Sequence, residues 1–286
     1  MAMKNITARE SDGAVKVMRL DASQSEPLWD LTELWQHREL LYFLVWREVK
    51  VRYKQTVIGV AWAVFQPLIT MVIFAIIFGI FARLPSDGLP YPVFAYSALL
   101  PWTYFSQAIS RAAYSLLGDA SLLQKVYFPR LILPLAAVIV PIIDFFLALL
   151  ILLGMLVWFG ITPTWGVLLL PVFLFMAVLT ALAVGLWIAP LNVKYRDVNI
   201  AVPVLIQLWM YASPIVYPLS LVPEKWQAIY SLNPLVGVIS GFRWALLDGV
   251  KPDFQLMGVS VLAVILLLWG GVVFFKRAEP TFADVV

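Results

Sequence analysis

The chain has no cysteine, one histidine (His37) and few charges, which make up only 13% of its 286 residues. No disulfide, thiolate nucleophile or cysteine-bound metal can form, and a histidine metal cluster is excluded with them. Enzymatic signatures are missing as well. There is no G-x-x-x-x-G-K-[ST] phosphate loop, no G-x-S-x-G elbow and no D-x-D metal pair. The chain therefore binds no ATP by a known loop. Its net charge of +3 is not gathered into a basic tract, which argues against nucleic acid and leaves anionic lipid as the charged partner. Residues 1–27 are polar and lack the apolar core of a cleaved signal peptide, so they read as a flexible cytoplasmic tail.

What the sequence has is apolar surface. At 62% hydrophobic residues, too little polar area remains to cover a soluble globule of this size, and the solvent must be largely lipid. A bilayer core of about 30 Å takes about 20 apolar residues per helical span. The pattern predicts an all-α membrane protein with a permease domain over 28–286 and six spans, near 57–81, 93–117, 131–159, 167–189, 200–217 and 258–275. Pro67 should kink the first span, and the second is polar enough to need shielding by protein or water.

Ahead of the spans, 31–54 forms a helix whose apolar run, Leu40 to Trp46, is too short to cross. Trp35, Tyr42 and Trp46 suit the membrane interface, with Arg38, Arg47, Lys50, Arg52 and Lys54 snorkelling to headgroups. The run is apolar all round, so a buried packing helix is the other reading. Between the fifth and sixth spans, 218–250 holds two short helical patches that can only dip into the membrane and return. The second has Asn233 as its cap, Pro234 in its first turn and Asp248-Gly249 as its stop. Lys and Arg are concentrated in the 31–54 helix and at Lys125, Arg130, Lys194, Arg196, Lys276 and Arg277, against Arg83, Lys225, Arg243 and Lys251 on the other side. That asymmetry places both termini in the cytoplasm.

Few residues in the spans carry chemistry. Arg111 and Asp144 are the intramembrane charges, at depths too different for easy pairing, and each is expected to be satisfied separately by backbone, water or a hydroxyl. Trp62, Gln66 and Thr70 share one face of the first span with Gly59, and Gln207 lies one turn from Tyr211 on the fifth, near Trp209, Ser213 and Tyr217. Amides, hydroxyls and aromatic faces suit a hydroxyl-rich ligand such as a sugar chain, and Gln66 and Gln207 are expected to face a pore. The rings also fit interface belts and helix packing. Arg47, Lys50, Arg52 and Lys54 could attract the diphosphate of a lipid-linked sugar, or serve only as headgroup anchors.

Four segments together resemble the permease subunit of ABC-2 polysaccharide exporters: WREVKVRYKQTVIGVAWAVFQPL, LLQKVYFPR, LNVKYRDV and SPIVYPLSLVPEKWQAIYSLNPL. The resemblance implies a homodimer of six-span subunits in the bacterial inner membrane. A separate ATPase subunit, in two copies, would hold ATP and Mg and burn the fuel. The cargo would be an undecaprenyl diphosphate-linked polysaccharide moving through a channel between the permeases. Leu122, Gln124, Lys125, Tyr127 and Arg130 would then couple to the ATPase, Arg47 to Lys54 would lie near the entrance, and Trp226, Tyr230, Phe242 and Trp244 would belong to an external gate. Exporters of teichoic acid, capsule or small hydrophobic molecules remain alternatives, as does a membrane enzyme acting on lipid-linked sugars.

Overall fold

The computed structural model describes residues 31–54, 59–247 and 253–282. The expected tail 1–27, the start of the first span at 57 and the Asp248-Gly249 stop lie outside the described residues. All regular structure among the described residues is helical. The long elements are α2 (Arg38–Lys54), preceded by the short α1 (Leu31–Gln36); α3 (Gly59–Phe74); α4 (Tyr91–Gly118); α6 (Ile132–Ile139) and α7 (Ile142–Trp158); α8 (Leu170–Lys194); α9 (Val198–Tyr211); and α12 (Phe254–Ala278). Short helices α5 (Ala120–Lys125), α10 (Glu224–Tyr230) and α11 (Pro234–Leu246) fill the connections.

Among the described residues, four stretches are long and apolar enough to cross a membrane: Val64–Phe81, Ile132–Trp158, Trp165–Lys194 and Phe254–Thr281. They fall on the first, third, fourth and sixth expected spans. The second, α4, is long enough at 28 residues but more polar, and α9 has only 14 and ends at Tyr211, short of the expected 217.

The polarity of α4 has a packing explanation. It is the central helix, touching α3, α6, α7, α8, α9 and α11, and its middle is buried nearly all round. Its shield is protein. The Tyr96 and Tyr104 hydroxyls donate to the carbonyls of Ala148 (3.3 Å) and Val138 (3.0 Å), and Ser97 donates to Phe94 O at 2.8 Å. These three buried hydroxyls of α4 are thus paired, as burial away from water favours. Contact between α4 and α8 is close because Gly185 lacks a side chain; a Cβ there would stand 2.7 Å from the Cβ of Ala112. Asn192, near the end of α8, ties the same pair by donating to Ala113 O at 2.6 Å.

Two spans depart from a regular α-helix. The first continues through Pro67 and widens to π geometry over Ala75–Phe81. The third is split at Val140-Pro141, where proline cannot supply the amide that an unbroken helix needs. The break puts Asp144 in the first turn of α7, a position that favours a carboxylate. The expected joint between the two outer patches is present: the Asn233 side chain accepts from Leu235 N, and Pro234 opens α11. Asn233 also donates to Ala212 O (3.1 Å) and Ser213 Oγ (2.9 Å) and accepts from the Trp209 indole (2.9 Å). One side chain therefore caps α11 and binds it to the end of α9.

Candidate functional site

The helix α2 is fixed to the bundle by charge as well as by apolar contact. One apolar edge packs on the core, with Leu44 buried and Leu40, Leu41 and Val45 half-buried against it, whereas Tyr42 and Phe43 are 69% and 62% exposed. On its inward side, Arg47 reaches Asp119 at 2.7 Å and Glu48 at 3.1 Å, and Glu48 faces Arg111 of α4 at 3.6 Å. One turn further on, Arg52 meets Asp144 of α7 at 2.5 Å and donates to Gln107 of α4 at 3.3 Å. Tyr53 donates its hydroxyl to the same Asp144 carboxylate. Burial, reinforced by that bond, pushes the Tyr53 hydroxyl up to about 12, so it remains a donor at every physiological pH.

Arg111 and Asp144 are thus not paired with each other. Each takes its opposite charge from α2, a solution the spacing of charges within the spans could not reveal. Asp144 is 5% exposed, and a carboxylate that deep is sustainable only with such partners. Of the basic residues expected at the headgroups, Arg52 turns inward and Arg47 is shared between two carboxylates, while Lys50 and Lys54 are exposed, Lys50 lying over the Trp46 ring at 5.2 Å. A cavity of about 250 Å³ opens between α2, α4 and α6, bordered by Arg47, Glu48, Arg111, Tyr114 and Asp119.

The polar stripes lie on the surface of the chain. Trp62 is 59% exposed and Tyr211 50%; Gln66 and Gln207 are also exposed, and Thr70 is half-buried with its hydroxyl bonded to Gln66 O at 2.9 Å. Helices α3 and α9 both pack on α4, so the two glutamines flank one central helix. Tyr217 is half-buried and shares a 2.8 Å hydrogen bond with Tyr230, joining a residue of the expected channel to one of the expected gate. Trp226 is exposed at 52%. Phe242 and Trp244, by contrast, are buried in the core of the chain, packed against Phe145, Phe173, Trp165 and Phe254.

In the expected coupling segment, α5 makes a six-residue helix with Gln124 and Lys125 exposed and Leu122 half-buried, and Tyr127 beyond it is 64% exposed. Arg130 anchors the segment to the far end of the chain: its guanidinium donates to Glu279 O and lies over the Phe282 ring at 5.8 Å.

Arg243 is the residue that sequence reasoning undervalued, as an ordinary basic residue of an outer segment. It is 4% exposed and donates to the carbonyls of Pro214 (2.7 Å) and Ile215 (2.9 Å), with longer approaches of 3.5 Å to Tyr217 O and Phe94 O. Its guanidinium sits 3.6 Å from the centre of the Phe94 ring. The turn that ends α9 is folded around this one cation.

Long apolar helices around a polar central one, with a charged helix clamped to their side, define a multi-pass membrane protein of permease type. The chain belongs to the ABC-2 type transporter family, whose family model matches residues 39–247. It is 32% identical over 258 residues to the O-antigen export system permease protein RfbA of Myxococcus xanthus, covering 89% of this chain and 98% of that one. A Klebsiella pneumoniae protein of the same name is 26% identical over 252 residues, covering 87% and 95%. The polysialic acid transport protein KpsM of Escherichia coli is 23% identical over 247 residues, covering 82% and 91%. Transport by a permease subunit, rather than catalysis, is the work of this family.

Proposed function

We propose that this chain is the membrane subunit of an ATP-driven exporter that carries a lipid-linked, O-antigen-like polysaccharide across the bacterial inner membrane. The observation that carries the reading is similarity to O-antigen export permeases along nearly the whole of both chains, 89% and 98%. In this reading two copies form the channel, six spans per copy leave both termini in the cytoplasm, and a separate ATPase, two copies per channel, supplies ATP and Mg. The exposed faces bearing Trp62, Gln66, Thr70, Gln207 and Tyr211 then line a conduit in which many weak contacts let a polymer slide. The pair α10 and α11 dips in from the outer side, and Tyr217 with Tyr230 stands at the exit.

The cavity beside Arg47 and Arg111 is the entrance. A diphosphate arriving there competes with Glu48 and Asp119 for the two guanidiniums. The segment Leu122 to Arg130 seats on the ATPase, and its tie to Glu279 carries the push toward α12. Deleting the gene tests the reading. Surface polysaccharide should disappear while undecaprenyl-linked polymer accumulates inside the cell. Unchanged surface polymer would refute it.

A further inference from the structure

On the side of the bundle away from α2 lies a second cavity, of about 330 Å³, within a single protomer. It is a partly open pocket bordered by the 87 turn, the 218–220 turn, α10, α11 and the start of α12. Its size is at the lower end of small-molecule sites. Val236, Leu256 and Met257 give it an apolar floor, and Ser220, Gln227 and Ser240 stand around it. Three charged residues complete the lining: Asp87, Asp253 and Arg243.

Much of the polar lining has hydrogen-bonding capacity left. Gln227 donates through its amide nitrogen to Val222 O at 2.8 Å, which leaves the amide oxygen as an acceptor. Asp87 accepts from Ser220 through one carboxylate oxygen, at 3.0 Å, and Asp253 caps α12 through one of its two. The mixture of charges selects the ligand. An anion would face two carboxylates, and a cation would face the buried guanidinium of Arg243. A neutral ligand with many hydroxyls suits both, because each hydroxyl donates to a carboxylate or amide oxygen and its C–H faces rest on the apolar floor.

We infer that this cavity is a subsite for one neutral hexose unit, positioned to hold the polymer as it leaves the channel. The inference rests on the export reading, and it adds a sugar site outside the channel wall.

The test uses the full chain in lipid nanodiscs, probed by saturation-transfer NMR with methyl glucoside, methyl mannoside and methyl galactoside, and with glucuronate, glucosamine and inorganic phosphate as charged controls. At least one neutral hexoside should bind at millimolar concentration in preference to the charged probes. Ser240→Phe, which fills the cavity, should abolish the signal. Gln227→Leu, on a half-exposed face where folding is little threatened, should weaken binding about tenfold, the loss of one good hydrogen bond. Absence of any hexoside signal, a signal untouched by both substitutions, or stronger binding of a charged probe would overturn the assignment. The gene deletion reads separately: lost surface polymer with no hexoside binding sinks the subsite alone, and unchanged surface polymer sinks the export reading whatever the NMR shows.

Discussion

Two arginine clusters, a buried one and a half-buried one at opposite ends of α4, solve the same electrostatic problem in opposite ways. Phe94 and Arg111 are separated by 17 positions of that helix, about 25 Å at the usual helical rise. Near Phe94, Arg243 is held by backbone carbonyls and an aromatic face, partners that cannot rotate away. Near Arg111, the charges are all on side chains: Arg47, Glu48, Arg52, Asp119 and Asp144 form pairs that can be exchanged one at a time. The first arrangement locks a turn. The second fastens α2 to the bundle while leaving its release to competition by other ions.

The contrast is broken most severely at Arg243. In Arg243→Leu the carbonyls of Pro214 and Ile215 lose their donor, at about 1–3 kcal/mol for each buried group left unpaired, and the ring contact with Phe94 goes as well. The expected outcome is a large fall in detergent-solubilised thermal stability and in the amount of protein recovered from membranes. Arg243→Lys should rescue little, because an ammonium cannot copy the fork of a guanidinium. Wild-type stability in Arg243→Lys would show that the cage needs only a positive charge.

The next effect in size belongs to the pair Arg52 and Asp144. Removing Arg52 leaves the buried Asp144 carboxylate without its counter-charge, at about 3 kcal/mol, and removing Asp144 strands a partly exposed guanidinium at a smaller cost, whereas replacing both by apolar residues removes the penalty together with the attraction. Arg52→Leu and Asp144→Leu should each lower the melting temperature of the purified chain, and the double variant should recover part of the loss. The same double variant should weaken the hold on α2, read as faster proteolysis near Lys54. Strict additivity of the two single changes would show that the charges act independently.

These two clusters also mark how far the sequence could be read. Membrane immersion, the long helices and the cap at Asn233 were legible because each depends on local composition or on a few adjacent residues. The polar second span pointed to shielding, and α4 is indeed the buried helix. Arg52 was not legible as the partner of Asp144, since 92 positions separate them and a basic residue ahead of a span has the same local pattern whether it faces lipid or protein. The break at Pro141, three residues before Asp144, was the available signal that this carboxylate begins a helix. Arg243 was hidden for a different reason: its partners are carbonyls, which every residue has and no side-chain pattern records. Phe242 and Trp244 are placed at a gate only by the family resemblance, which says nothing of burial, and α11 is buried nearly throughout.

The smallest test sharpens what the Asp144 carboxylate requires. Tyr53→Phe keeps the ring and deletes one donor to that oxygen, which should cost about 1 kcal/mol and leave the Arg52 contact in place. Because the folded hydroxyl is raised from its ordinary value of 10 to about 12, its contribution is fully present below pH 10 and is lost only as pH climbs through about 12. The stability difference between wild type and Tyr53→Phe should therefore be flat from pH 6 to pH 9 in thermal melts. A difference that shrinks across that interval would mean that the hydroxyl ionises much lower, and that Asp144 leans on Arg52 alone.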